Sequence, residues 1–148
     1  MELLAQIEQA LKTAMKERDE TRRDALRMLL TAIKVKEKEI KHLPDEVQIR
    51  QVISSQIKQR RDASEQFTQG GRKDLAEKEE AELRVLQGFL PEALSRDALE
   101  ALVDEVIGEA GASGPKDMGR VMKALMPRLE GRADGKLVNE VVRSKLQP

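Results

Sequence analysis

The chain of 148 residues has no cysteine, tryptophan or tyrosine, one histidine and two phenylalanines. Each absence removes a class of function. Without cysteine there is no disulfide scaffold, thiolate metal site or cysteine nucleophile. The lone histidine, His42, excludes multi-histidine metal centres and makes a histidine-based triad a poor fit. No apolar run approaches the roughly eighteen residues that a membrane-spanning helix requires. The opening residues, Met1 to Gln6, form an amphipathic start with an early acid rather than a secretory signal. Net charge is also missing, since 27 Lys/Arg face 27 Asp/Glu. Charged residues make up 36% of the chain. Their signs balance and the apolar residues are periodic, which favours a folded, ion-paired helical protein over a disordered one. These features predict a soluble protein of a reducing, cytoplasmic compartment.

Glycine is absent before position 70, and all nine glycines follow from there. The front half therefore reads as long helices and the rear half as shorter helices joined by turns. Leu3, Leu4, Ile7, Leu11 and Met15 recur at helical spacing and predict a first helix over 2–18. Thr21 with Asp24 has capping-box spacing and predicts the start of a second helix. Pro44, Asp45 and Glu46 predict a third, with the proline at its first position. Gly70 and Gly71 end it, and a fourth runs from Lys73 to Phe89. Phe67 and Phe89 both fall on apolar rows and are expected in the core. Leu90 and Pro91 stop the pattern. Ser95 caps a fifth helix, Pro115 opens a sixth with Pro127 in its last turn, and Asp134 caps a seventh. No strand-like alternation competes. The expected fold is all-α: an N-terminal helical bundle of about four helices over 1–93, then a small three-helix domain over 94–148.

Catalytic chemistry finds little purchase. His42 falls beside a turn at a helix end, where a solvent-facing role is the plain reading. Glu77, Glu79, Glu80 and Glu82 form an acidic run that fits a solvated face or partners for Arg60 and Arg61 better than a metal or proton site. The segment from Gly131 to Lys136 is one residue short of a phosphate-binding loop, lacks the following Ser/Thr and follows no strand, so nucleotide binding is rejected. The start of helix seven, between Arg132 and Lys136, is a workable site for one anion. A tight turn that merely uses Gly131 and Gly135 explains the same residues equally well. No catalytic residue, metal or cofactor is expected.

Charge is unevenly distributed. Residues 95–114 carry one base and five acids, net −4, whereas 115–148 carry eight bases and four acids, net +4. Lys116, Arg120 and Lys123 share one helix face, and Arg132, Lys136 and Arg143 can extend it. Arg27, Lys34, Lys38 and Lys41 share a face of helix two. Lys58, Arg60 and Arg61 lie in a stretch without acids from 47 to 61. Such stripes hold phosphates, although ordinary solvated faces look the same. With almost no aromatic residue to stack on bases, a nucleic-acid partner would be a folded RNA gripped by its backbone. Neither DNA nor a membrane is expected.

Several motifs resemble the GatB/YqeY family. They are Lys58 to Ala63, Phe67, Gly71 to Leu75, Lys78 to Leu83, Leu90-Pro91, Lys116 to Gly119, Val121-Met122 and, most specifically, Gly131 to Asn139. The match covers essentially the whole chain, which looks like a free-standing YqeY-like protein. The resemblance implies an all-helical protein similar to the tRNA-contacting tail of the B subunit of the glutamine-dependent aminoacyl-tRNA amidotransferase, whose catalytic machinery lies elsewhere. It implies a tRNA-binding or tRNA-associated role. Lys116, Arg120, Lys123, Arg132, Lys136 and Arg143 are then expected as phosphate contacts, with Gly131 and Gly135 shaping the loop and Lys58, Arg60 and Arg61 as secondary contacts. One alternative is a module that docks an amidotransferase or synthetase. Another is an amidotransferase-associated component, with carbon–nitrogen ligase activity using glutamine as amido donor by family association only.

Overall fold

A computed structural model describes residues 2–129 and 132–147. The expected all-α class is observed, with no strand among the described residues. The helices are α1 Leu3–Glu17, α2 Glu20–Ile40, α3 Glu46–Gln69, α4 Lys73–Gln87, α5 Arg96–Ala110, α6 Met118–Leu129 and α7 Gly135–Leu146. A 3₁₀ turn, Pro115–Asp117, leads into α6. The chain divides into two compact units, one ending at Leu90 and the other beginning at Pro91.

In the first unit α3 and α4 form a hairpin, and α2 packs on both and on α1. Its core is aliphatic, built around Ile7, Leu26, Leu29, Ile53 and Leu86, all fully buried. Phe89 packs against this core from the turn beyond α4, but Phe67 is only half-buried and lies outside the cluster. In the second unit α5, α6 and α7 enclose Leu99, Val103, Val121, Leu125, Val138 and Val142. Leu, Ile and Val at helical spacing are enough to seal both cores.

The helix ends show where local chemistry departs from the sequence pattern. The cap of α2 is Asp19, which accepts from the Arg22 amide at 3.1 Å, rather than Thr21. Asp24 instead pairs with Arg23 at 3.0 Å. Pro44 stands before the α3 cap, not at the first helical position. Asp45 caps, accepting from the Gln48 amide at 2.8 Å while the Gln48 side chain accepts from the Asp45 amide at 2.9 Å. Ser95 caps α5 through the Ala98 amide at 3.1 Å, as its position predicts. Asp134 precedes α7 but makes no side-chain cap bond. Pro127 lies within α6. Arg18 and Lys41, the residues ending α1 and α2, have left-handed backbones with φ of 56° and 64°. That conformation costs a residue with a Cβ about 1–2 kcal/mol and costs glycine little.

One polar cluster is buried in the first unit. Arg60 follows Ile53 and Ile57 along the inward row of α3 and is 3% exposed. Its Nη1 donates to the Gln56 carbonyl at 3.2 Å and to the Gln56 Oε1 at 2.8 Å, and its Nη2 to the Met28 sulfur at 3.2 Å. Its Nε lies 3.5 Å from Glu82 Oε2, and the Glu82 side chain is 7% exposed. Burial pushes the Glu82 carboxyl above its ordinary value, against the pull of Arg60.

These two charges should respond asymmetrically to mutation. Arg60→Met strands a buried carboxylate and should cost about 3–5 kcal/mol at neutral pH. Glu82→Gln retains an acceptor for Arg60, which keeps its Gln56 bonds, and should cost far less. Because the folded-state pKa of Glu82 is raised, the folded chain holds that proton more tightly than the unfolded chain. Its protonation therefore favours folding as pH falls toward the ordinary value of 4.5 and loses that effect as pH rises. The Arg60→Met penalty should accordingly shrink on acidification. Denaturant titrations of both variants across pH check this; a pH-independent penalty, or equal losses in the two, would refute it.

Candidate nucleic-acid interface

The acidic segment and the basic segment of the second unit come together in the fold. Arg128 on α6 reaches α5 with both arms, placing Nη2 3.0 Å from Glu105 and Nη1 3.0 Å from Glu109. Lys145 on α7 meets Asp104 at 3.1 Å. Much of the opposition between −4 and +4 is thus spent inside the unit. These pairs are solvent-exposed, so each contributes little stability, but they remove cations from the set available to a partner.

The predicted phosphate contacts separate into three groups. Arg120 is exposed but occupied: its Nη1 donates to the Ala110 carbonyl at the end of α5 at 2.7 Å, and its Nη2 pairs with Asp117 at 3.1 Å. The Ser113 amide and then Arg120 hold the Asp117 carboxyl below its ordinary value. Arg132 is half-buried and closes a clamp on the segment before α5. Its Nε donates to the Glu92 carbonyl and its own carbonyl accepts from the Leu94 amide, both at 2.8 Å. These two arginines hold the unit together as well as carrying charge. Lys116, Lys123 and Arg143, by contrast, are exposed and make no ion pair or side-chain hydrogen bond with the described residues.

Lys136 is exposed in the first turn of α7 and has an interaction within the fold. Gly135, the first residue of α7, lacks a positive φ and has open space where a Cβ would stand, so no turn requirement fixes glycine there. Gly131 lies outside the described residues. Among the secondary contacts, Lys58 is exposed and Arg61 half-buried. Arg60 is corrected: enclosed by α2, α3 and α4, its guanidinium is not on a surface that a phosphate can reach, and it partners Glu82 of the acidic run. His42 is exposed beside a turn, with Nδ1 3.0 Å from the Leu43 carbonyl. Among the described residues no group of three or more His, Cys, Asp or Glu is placed to hold a metal, and no helix is long and apolar enough to cross a membrane.

Sequence reasoning misses Arg128 and Lys145 as internal partners of α5. The acids lie at least 19 positions away from them in the chain, and no local spacing announces such pairs.

A family model described as "Yqey-like protein" matches residues 4–146. The chain is 36% identical over 110 residues to "altered inheritance of mitochondria protein 41, mitochondrial" of Eremothecium gossypii, covering 72% of this chain and 60% of that protein. It is 31% identical over 118 residues to the protein of the same name in Lachancea thermotolerans, covering 78% and 63%. The chain thus spans about three fifths of the length of these curated relatives. It is also 45% identical over 58 residues to a glutamyl-tRNA(Gln) amidotransferase component from Aeropyrum pernix, covering 36% of this chain and 9% of that protein. The expectation of a cytoplasmic protein is corrected here. The fungal relatives are named as mitochondrial, and the expectation had only a lack of cysteine and an acidic start behind it, neither of which reads out a compartment.

The Arg132 clamp has a local consequence. Arg132→Ala removes one of two bonds holding Glu92 to Leu94 and should speed amide exchange at Leu94 several-fold while leaving α1–α4 protection unchanged. Hydrogen exchange measures both; unchanged protection at Leu94 would show that the side chain contributes nothing to the clamp.

Proposed function

The chain belongs to the YqeY-like family, and from that premise we propose that it is a non-catalytic, tRNA-associated protein that grips folded RNA by its backbone. The observation carrying this reading is the division of cations in the second unit. Arg128 and Lys145 are consumed by α5, whereas Lys116, Lys123 and Arg143 stand exposed without an internal partner among the described residues. Permanently charged groups so displayed suit phosphate oxygens, and gripping phosphates requires no base recognition. The absence of Trp and Tyr fits that mode, because neither residue is there to offer a stacking platform. Similarity to a protein named as part of a tRNA amidotransferase supports RNA of the tRNA class. A match to 9% of that protein brings no amide-transfer chemistry with it.

A second reading, docking of a protein such as an amidotransferase or synthetase, draws on the exposed Met28, Val35, Leu43 and Met126. Binding of purified chain to folded tRNA at low salt without any added protein separates the two readings.

Reversing Lys116, Lys123 and Arg143 to Glu should weaken binding to folded tRNA and reduce the slope of log affinity against log salt by about three. None of the three is engaged in holding the fold, so thermal stability should stay near that of the parent. Titrations at several salt concentrations test this. Undiminished affinity in the triple variant would remove these residues from the interface, and no binding by the parent chain would remove RNA as the partner.

A further inference from the structure

The first unit carries a second cationic surface. Arg27, Lys34 and Lys38 recur at spacings of seven and four along α2, which places them on one side of the helix. Lys41 extends the row at the helix end. All four are exposed, and none has an ion-pair partner among the described residues. The inward row of the same helix, Leu26, Leu29 and Ile33, is buried, which fixes the cations outward. Of the acids on α2, Asp24 is held by Arg23 and Glu39 lies 4.0 Å from Lys36, while Glu20, seven residues before Arg27, shares the side of the row at its start and Glu37 is exposed one turn from Lys34 and Lys41. At the other end, Arg18, Arg23 and Arg27 converge on a shallow depression at the α1–α2 corner, with Glu20 and the exposed Met15.

Arg18 and Lys41, at the two ends of the row, add an independent observation. Both occupy left-handed backbone positions at helix C-termini, where glycine is the residue of least strain. The other left-handed positions among the described residues are glycines, Gly71 and Gly111. Both side chains, of Arg18 and Lys41, are exposed, so the two turns set a long cation at each end of the row.

We infer that the outer face of α2, extended by Arg18 and Lys41, is a second RNA-backbone track. It rests on the reading of the chain as an RNA-associated protein and adds a contact surface in a different unit. The row from Arg27 to Lys41 spans about 21 Å at the helical rise. Thr31, on the same side, is exposed between the cations with its hydroxyl donating to the Arg27 carbonyl. A row of cations without aromatics holds a phosphate backbone and reads no bases.

The test uses the full chain and folded tRNA. Arg27→Glu with Lys34→Glu and Lys38→Glu should weaken binding on the order of tenfold or more at low salt and lower the salt slope by about three. The double variant Arg18→Gly with Lys41→Gly relieves two left-handed residues. It should melt no lower than the parent and still bind several-fold more weakly, a combination that loss of structure cannot produce. If the parent binds and Lys116, Lys123 and Arg143 prove necessary while both α2 variants bind normally, the α2 track is refuted and the tRNA reading survives. If the parent binds no RNA, both fall. Binding of the parent to vesicles of phosphatidylglycerol but not to RNA would assign the face to a lipid surface and overturn the inference.

Discussion

At the seam of α3 and α4 a guanidinium and a carboxylate give up most of their water together. Arg60 and Glu82 are both almost wholly enclosed, and taking such ions out of water costs several kcal/mol each before any attraction is counted. The attraction only partly offsets this, which is why burial still dominates at Glu82 and pushes its carboxyl up. The pair contributes alignment rather than stability. Arg60 makes its contacts only when Gln56 on its own helix, Met28 on α2 and Glu82 on α4 stand in one arrangement, and its Nε there faces Glu82 without a hydrogen bond. Met28 thereby ties the pair to α2, whose buried row Leu26, Leu29 and Ile33 turns Arg27, Lys34 and Lys38 outward.

The second unit manages charge in the open. Arg128 and Lys145 tie α6 and α7 to α5 through solvent-exposed carboxylates, and Arg120 and Arg132 tie turns to carbonyls. Exposed pairs of this kind are individually weak. Their effect is to divide the cations into those occupied within the fold and those left exposed. A net charge of zero is consequently a poor guide to binding here. What counts is which positive groups the fold leaves unneutralised.

The helices are legible in the sequence because amphipathic rows of Leu, Ile and Val report burial directly, and Ser95 and the two-glycine turn report helix ends. Arg60 is legible too: it continues the row of Ile53 and Ile57 at helical spacing, and a charge on an apolar row signals a buried partner more strongly than a surface contact. The α2 cap is misread because Thr21 and Asp24 have the right spacing. The left-handed turn at Arg18 delivers Asp19 to the Arg22 amide first. Partners such as Arg128 with Glu109 stay hidden, since periodicity gives the face a residue occupies and says nothing about which distant helix meets that face. Compartment is not legible at all, as the mitochondrial names of the fungal relatives make plain.

The missing glycines of the front half have a physical consequence. Both α1 and α2 end on a left-handed residue, the position where glycine relieves about 1–2 kcal/mol of strain, yet Arg18 and Lys41 stand there. A cation near a helix C-terminus recovers typically about 0.3–1 kcal/mol from the helix dipole when exposed. That recovery is smaller than the strain in most of its range, and it falls further with salt. Glycine would relieve the strain, as it does at Gly71 and Gly111, but it adds backbone entropy to the unfolded chain worth roughly 0.4–1 kcal/mol, so the two residue types come out close. The left-handed ends at Arg18 and Lys41 thus place an exposed cation at each end of the α2 row at little net cost to the fold.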